Sequence, residues 1–534
     1  METLVQKMDY KKGLSFFFLS VFFILFFQVC RYFYPSISLS EALYISDPNK
    51  SIMDEMKSIP PGELIILGRG IYQEAYLEIP KGVSLIGEDL GSVIISGDPN
   101  IPLDAVIIVS SQSVIKNLVI CNGGVGIFVL DEEESPGDIT IENNLIINNE
   151  NGILFAGEKG SRSIKIIGNT IVNNKDSGIV ISVNPNQPDL LCRDNIIAYN
   201  GGNGIVNNGK GVGIDFVQRD SSQTEFTDFI DLTHIFLSYN NIYDNDIYRI
   251  WLYSDNNIRD SKIIPNLNHL GKGNFSKDPF FLDANKGNYH LDSYSPCIDQ
   301  GDPNSDFSQE PDNNGGRVNL GFFGNSPQAT PTLDTDKDGI LDYQEGPGDM
   351  DEDGFSDWND VDTIIFPLTQ EIDKIAVHFE GIIRDGNQKT RFEEAKIIPS
   401  KGLSTNPPGG ILPFDVIQYH IVNPSESDAV KIRMILPKDK IGKSYRALIM
   451  DHHIRYMSLS LHLEWESIPF EMDTNILDDP NKTSIIFRIE DGGIGDEDGT
   501  KNDVIEHTGA LVIKPQPLTE WKDKQGCFIA VIIH

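Results

Sequence analysis

Cysteine is scarce, with five residues in a chain of 534 and no C-x-x-C pair, so neither a dense disulfide framework nor a zinc ribbon supports the fold. Basic side chains are outnumbered, 43 Lys plus Arg against 79 Asp plus Glu, for a formal charge of -36. That field repels phosphate backbones and anionic membranes, which excludes nucleic acid as a partner and leaves a membrane reachable only through a terminal anchor. Aromatic residues make up only 9%, but hydrophobic residues reach 40%, enough for packed cores and too many for a disordered chain. At one domain per about 150 residues the length implies three or four units. Their stability must come from burial and from bound ions.

The first 38 residues read as an address. Lys11 and Lys12 precede an apolar run of 16 residues, Leu14 to Val29, followed by Cys30 and Arg31, the charged-then-apolar layout of a secretory signal. The run is long for a cleaved core and short for a span of about 20 residues. Cleavage near Ser36 and Ser38 and retention as an N-terminal anchor both remain open. Either outcome places the protein outside the cytoplasm or on the cell surface. Cys30 follows Val29 rather than a small residue, which argues against a lipoprotein signal.

Between residues 39 and 291 the chain repeats. Gly-Ile recurs at Gly126-Ile127, Gly152-Ile153, Gly178-Ile179 and Gly204-Ile205, each pair 26 residues after the last. Short β-branched runs ending in Asn pairs fill the intervals: ITIENN from Ile139, LIINN from Leu145, TIVNN from Thr170. Strands of three to five residues are too short to stand alone and need the equivalent strand of the next repeat. Stacking them places Ile over Ile in a continuous interior, with three strands per coil and parallel pairing throughout. Asn fits the corners twice over, since it tolerates left-handed backbone and its amides can bond along a ladder. The four glycines are expected to relieve similar corners. The crossover rule makes the coil right-handed.

These residues resemble the pectin-lyase-like right-handed parallel β-helix family, and the stretch from Pro61 to Gly97, with its G-x-Y turn at Gly70 to Tyr72 and VSLIG strand at Val83 to Gly87, resembles its opening coils. Ser40 to Lys57 is expected to form an amphipathic helix that caps the first coil. Residues 292–329 form a β-helix tail. The order DP-F-x-DA, YHL, SPCID-x-GDP and GRVNLGFFGN from Ser276 to Ala329 is similar to the choice-of-anchor Q type, which implies a tail that closes the last coil, with Cys297 buried within it.

One break interrupts the repeat, between Gly209 and Phe236, where Asp215, Arg219, Asp220, Glu225, Asp228, Asp231 and His234 intervene. It is read as a surface excursion, with a binding loop as the alternative. The resemblance implies polysaccharide lyases and hydrolases among the relatives. Their N-T-D, D-D and G-H-G marks, and the R-x-P-x-x-R setting of the lyases, are missing from residues 39–291. Arg162, Arg193, Arg219, Arg249 and His234 stand as isolated basic candidates, each more simply read as surface charge. No catalytic residue is assigned.

The sharpest chemistry lies in residues 330–363. Asp334, Asp336, Asp338, Gly339, Asp342 and Glu345 fall at positions 1, 3, 5, 6, 9 and 12 of a calcium loop, with the Ile340 carbonyl at 7. Fifteen residues later the pattern returns as Asp349, Asp351, Asp353, Gly354, Asp357 and Asp360, with the Phe355 carbonyl at 7. Calcium takes roughly six to eight oxygens, and without an ion such like charges repel. Pro and Thr precede Asp334 in place of an entering helix, so a paired EF-hand is not expected. The segment resembles the thrombospondin type 3 repeat, D-x-D-x-D-G-x-x-D, which implies Ca²⁺ as its ion and a rigid spacer as its product.

From 364 to 522 alternating strands such as KIAVHFEGII and SIIFRIEDGG, with Gly and Pro turns, read as an antiparallel β-sandwich. PPGGILPFDVIQYHI, VKIRMILP and IEDGGIGDEDGTKNDVI resemble the choice-of-anchor U family. Asp496, Asp498 and Asn502 suggest a third cation site, with a solvated hairpin as the alternative. Residues 523–534 form a tail in which GCFIA resembles the start of a Cys-containing sorting signal, leaving Cys527 as an attachment point or a free thiol.

The fold class is therefore all-β: a right-handed parallel β-helix, a calcium-binding linker and a C-terminal antiparallel β-sandwich. The function expected is that of an exported, calcium-binding surface protein whose helix binds polysaccharide or another surface polymer. A lyase or hydrolase with an unmarked site, and a structural adhesin, are the alternatives.

Overall fold

A computed structural model describes residues 42–513 except 58, 98–104, 111, 131–136, 157–162, 184–188, 202–211, 220–233, 255–256, 264–270, 351–354, 362, 368–373, 380–390, 400–415, 423–428, 437–453, 460–463, 474–482, 494, 499 and 503. The N-terminal segment 1–38 and Cys527 lie outside the described residues.

Three parallel sheets build the N-terminal half, and each coil contributes one strand to each. The first sheet runs from Leu43–Ile45 and Leu64–Leu67 through Ile139–Glu142 and Ser163–Ile167 to Ile235–Ser238. The second runs from Leu77–Ile79 through Ala105–Val109, Val125–Leu130, Asn151–Ala156, Ser177–Val183 and Val212–Arg219 to Asp246–Ser254, and an antiparallel strand, Asn257–Ile263, closes its far edge. The third runs from Gly70–Gln73 through Leu145–Ile147, Thr170–Val172 and Ile196–Ala198 to Asn241–Tyr243. Ile127 pairs with Ile153 and Ile153 with Ile179, so the 26-residue period is one coil. Their side chains stack in one interior column beside Ile141, Ile146 and Ile166, all buried.

Asn pairs divide two tasks that the sequence had given to one residue. The first member of a pair takes the left-handed backbone, at φ 48° for Asn143, 58° for Asn148 and 54° for Asn173. The second turns inward and joins a ladder. The Nδ2 of Asn144 donates to Asn169, Asn169 to Asn195, Asn195 to Asn240 and Asn240 to Asn274, at 2.9 to 3.1 Å. A parallel ladder links Asn149 to Asn174 and Asn174 to Asn200. Every rung also satisfies backbone groups that the corner leaves unpaired, which is why these amides can be wholly buried.

Gly126, Gly152 and Gly178 are strand residues, not corner residues. Gly126 and Gly152 lie within strands, and a Cβ on either would stand 2.6 Å or 2.4 Å from the carbonyl oxygen of the glycine one coil on. Close approach of backbones explains them, not left-handed φ. The fourth mark also moves: Gly204-Ile205 lies outside the described residues, and Ile179 pairs with Ile214, so the next coil uses Gly213-Ile214. Part of the expected excursion at 209–236 is thus an ordinary rung, Val212–Arg219.

The N-terminal cap is shorter than expected. Leu43–Ile45 adds a strand to the first sheet, and only Ile52–Met56 is helical, with Ile52 and Met56 plugging the core.

The tail meets the last coil at Asn241, whose Nδ2 donates to the Lys277 carbonyl at 2.8 Å and to Cys297 Sγ at 3.1 Å. It runs back along the outside of the third sheet: Phe322, Leu320, Ile298 and Tyr289 pack on Leu145, Ile147, Val172, Ile196 and Ala198. Phe322 N–H donates to Thr170 Oγ1 at 3.0 Å, Asn143 Nδ2 to the Gly324 carbonyl at 2.8 Å, and Gln328 reaches Asp89 near the first coils. Both faces of the third sheet are therefore buried from Leu145–Ile147 to Ile196–Ala198, and these strands, LII, TIV and IIA, are apolar at every position save one threonine.

Two five-stranded antiparallel sheets follow, one containing Thr363–Pro367, Lys374–Phe379, Ala429–Leu436, Thr483–Glu490 and Phe470–Asp473, the other Arg391–Ile398, Val416–Val422, Val504–Ile513, Ile454–Leu459 and Trp465–Ile468. Ile432, Met434, Ile485 and Phe487 from one meet Phe392, Tyr419, Tyr456 and Leu511 from the other in a single core. No helix among the described residues is long and apolar enough to cross a membrane.

Candidate metal centre

Alternating carboxylates in the stretch from Asp334 to Asp338 converge because the loop bends back on itself. Gly339 N–H donates to Asp334 Oδ2 at 3.2 Å, Asp338 N–H to Asp336 Oδ1 at 3.3 Å, and Ile340 N–H to Asp338 Oδ1 at 2.7 Å. Each carboxylate keeps one oxygen out of this network. Asp334 Oδ1, Asp336 Oδ2 and Asp338 Oδ2 are buried without a hydrogen-bond partner, and one carboxylate oxygen from each of the three residues lies within 4.8 Å of the others. Gly339, at φ 103°, makes the sharp turn that this convergence needs.

Burial governs the electrostatics. It pushes Asp336 up to about 8, with Asp338 adding to the effect, and Asp338 up to about 7, with Asp334 and Asp342 adding to it. Glu345 rises to about 11 through burial and then the charges of Asp338 and Asp336. A set of carboxylates this dry cannot ionise together; it must hold protons or a cation. All three converging donors are hard oxygens, and no thiol or imidazole joins them among the described residues, the donor chemistry of calcium rather than zinc or copper.

Asp342 sits in the one-turn helix Asp342–Glu345, and its carboxylate accepts from Thr335 N–H at 2.7 Å and Thr335 Oγ1 at 2.8 Å. Position 9 thus also closes the loop, a role that spacing alone does not reveal. Glu345 is wholly buried. The Ile340 side chain enters the sandwich core. In the second loop Asp357 and Asp360 are buried, Asp349 and Phe355 are exposed, and Asp351 and Asp353 lie outside the described residues. Glu345 feels the charge of Asp357, so the two loops are electrostatic neighbours.

At the third proposed position the oxygens are already engaged. Asp496 accepts from Gly492 and Glu506 N–H at 2.7 and 3.0 Å, and Asp498 accepts from Thr500 N–H at 2.7 Å and Asn502 Nδ2 at 3.0 Å. This is a hydrogen-bonded hairpin.

Of the basic candidates, Arg193 and His234 are described with their side chains, and each meets an acidic partner of its own. Arg193 reaches Asp302 at 3.4 Å and so holds the tail, and exposed His234 meets Asp189 at 2.8 Å. Arg219 and Arg249 lie in strands of the second sheet whose side chains are not described, and Arg162, Asp220, Glu225, Asp228 and Asp231 lie outside the described residues. A cavity of about 10 Å³ between the tail and the third sheet, lined by Thr170, Tyr289 and Phe322 among others, has room for about one water.

The fold defines a class, the parallel β-solenoid carrying an antiparallel sandwich. Residues 100–217 match the family described as the right-handed β-helix region. Among solved structures, a pectin methylesterase mutant in complex with a hexasaccharide is similar at 14% identity, covering 41% of this chain and 82% of that one, with a TM-score of 0.21. Pectin methylesterase from Yersinia enterocolitica is similar at 14% identity over 42% of this chain and 90% of that one, with a TM-score of 0.20. None of the curated proteins matches the chain.

Proposed function

We propose that this is an exported, calcium-binding β-helix surface protein, in which Ca²⁺ fixes the joint between solenoid and sandwich while the solenoid binds a polysaccharide or another surface polymer. The observation that carries the calcium reading is the trio of buried, unpartnered oxygens on Asp334, Asp336 and Asp338 at calcium-loop spacing. Ile340 and Glu345 complete the first set of donors, and Asp349, Asp351, Asp353, Phe355, Asp357 and Asp360 form the second.

The polymer reading is supported by the second sheet. Ile108, Phe128, Leu154 and Val180 fall in one register column of its outer surface, each part-exposed. The first sheet's outer surface instead carries the ion pairs Lys116–Glu142 and Lys165–Asp138, and the third is covered by the tail over Leu145–Ile147, Thr170–Val172 and Ile196–Ala198. An apolar column on a chain of charge -36 suits the carbon face of a neutral glycan better than a polyuronate.

Terbium titration of the full chain tests the first reading: saturable luminescence that calcium displaces is expected, and no displacement overturns it. A glycan array probed with wild type and Phe128→Asp tests the second, which fails if no neutral glycan is retained or if the substitution changes nothing.

A further inference from the structure

The strand Arg391–Ile398 is the outer strand of its sheet, hydrogen-bonded along one side to Val416–Val422. An open strand edge is a template for unwanted pairing. Here its other side is met by the first acidic loop and by Val361, the residue that follows the second. Ala395 N–H donates to the Asp338 carbonyl at 2.5 Å, and Phe392 N–H to the Val361 carbonyl at 3.2 Å. A bulge between Glu393 and Lys396, with Glu394 at φ 54°, turns Ala395 N–H outward for that bond. Gly339 approaches so closely that a Cβ would stand 2.7 Å from Ala395 N. Ile340, 5% exposed, enters the sandwich core beside Phe392 and Ala395.

Asp338 therefore faces two ways: its carboxylate belongs to the oxygen cluster and its carbonyl to the strand edge. We propose that cation binding by the first loop and docking of that loop on the edge of Arg391–Ile398 are one linked equilibrium, with Ile340 as the positioning residue. The inference rests on the calcium reading above. Linkage is reciprocal: whatever factor docking adds to the ion's affinity, the ion adds to docking. Removing calcium uncaps the edge, and filling the cluster seals it.

The test uses the full chain in two measurements. Hydrogen exchange compares calcium-loaded with chelated wild type: peptides covering 391–398 are expected to exchange at least tenfold faster after chelation, with peptides covering 139–147 of the solenoid unchanged. Terbium titration compares wild type, Ile340→Ser and Ile340→Val. The Ser variant is expected to bind tenfold or more weakly although its side chain is no ligand, and Val to restore affinity to within about threefold. Unchanged exchange at 391–398 in a chain that does bind the ion, or equal affinity of Ile340→Ser and wild type, overturns the linkage and leaves the calcium reading standing. A wild type that binds no terbium overturns both.

Discussion

Asp342 and Asp357 hold their loops by the same pair of bonds. Each accepts on its carboxylate the amide of the residue seven positions upstream, Thr335 at 2.7 Å and Met350 at 2.8 Å. Each gives its own amide to the carbonyl nine positions upstream, Leu333 at 3.0 Å and Gly348 at 2.7 Å. Two loops fifteen residues apart are thus closed alike. If closure is the task, Asp342→Asn, which still accepts from Thr335 N–H, is expected to lower terbium affinity by about threefold or less. Asp342→Ala is expected to lower it by about tenfold or more, roughly 1.4 kcal/mol. Equal losses for the two variants would make Asp342 a direct ligand instead.

The loop carboxylates set a pH dependence of calcium binding. Asp336 and Asp338 are raised from the ordinary carboxylate range to about 8 and about 7. Between about pH 4 and 8 the ion-free fold therefore holds protons that the unfolded chain has released, and its stability falls as pH rises. Calcium must displace those protons. Affinity is expected to climb between pH 6 and 8, with net proton release at pH 7 seen by calorimetry in two buffers of different ionisation enthalpy. Heats that differ by no proton between the buffers would refute the protonated, ion-free cluster.

Much of this architecture is legible in the residues because the solenoid repeats its own constraints. Ile127, Ile153 and Ile179 announce the coil, and the Asn pairs announce its corners. What spacing could not reveal is which constraint each residue answers. Gly126 reads like a corner glycine, but its need for space arises from the coil above it, a contact visible only in three dimensions. Gly204-Ile205 keeps the 26-residue spacing and Gly213-Ile214 breaks it, yet the register chooses the second. The wholly apolar Leu145–Ile147 strand carried a signal that its outer face is covered, although not by which segment. At the ion loop, the spacing picks out Asp334, Asp336 and Asp338, but the bond from Thr335 that occupies Asp342 depends on how the short helix folds back.

His507 gives the sandwich an acid limit. It is wholly buried, with Nδ1 bonded to the Gly495 carbonyl at 2.7 Å, so Nδ1 carries the proton and Nε2 accepts from Tyr456 at 2.8 Å. Burial pushes the imidazole down to about 4. Above about pH 6.5 both folded and unfolded forms are neutral and no penalty exists; below it the unfolded chain takes a proton that the fold refuses. The sandwich is expected to lose up to about 3 kcal/mol as pH falls from 6.5 to 4. Urea unfolding of wild type and His507→Gln across that range checks it, and equal acid slopes in the two would remove His507 from the account.

Asn169 is a fully bonded rung of the longer ladder. Its Oδ1 accepts from both the amide and the side chain of Asn144, at 3.0 and 3.1 Å, and its Nδ2 donates to the Ile141 carbonyl at 2.8 Å and to Asn195 at 3.1 Å. Truncation to Ala strands donors and an acceptor in a dry interior, at about 1–3 kcal/mol for each group left unmade. Substitution by Asp keeps the acceptor but loses the donor and buries a charge, so it fares no better. Because the ladder runs from coil to coil, a rung lost weakens the hold between the coils on either side. Asn169→Ala and Asn169→Asp are each expected to lower solenoid stability by about 3 kcal/mol or more in denaturant. Asn304→Ala, in an exposed turn closed by Asp302, is expected to stay within about 0.5 kcal/mol. Similar midpoints for Asn169→Ala and Asn304→Ala would show that stacking of Ile and Val, rather than the ladder, sets the stability of the coil.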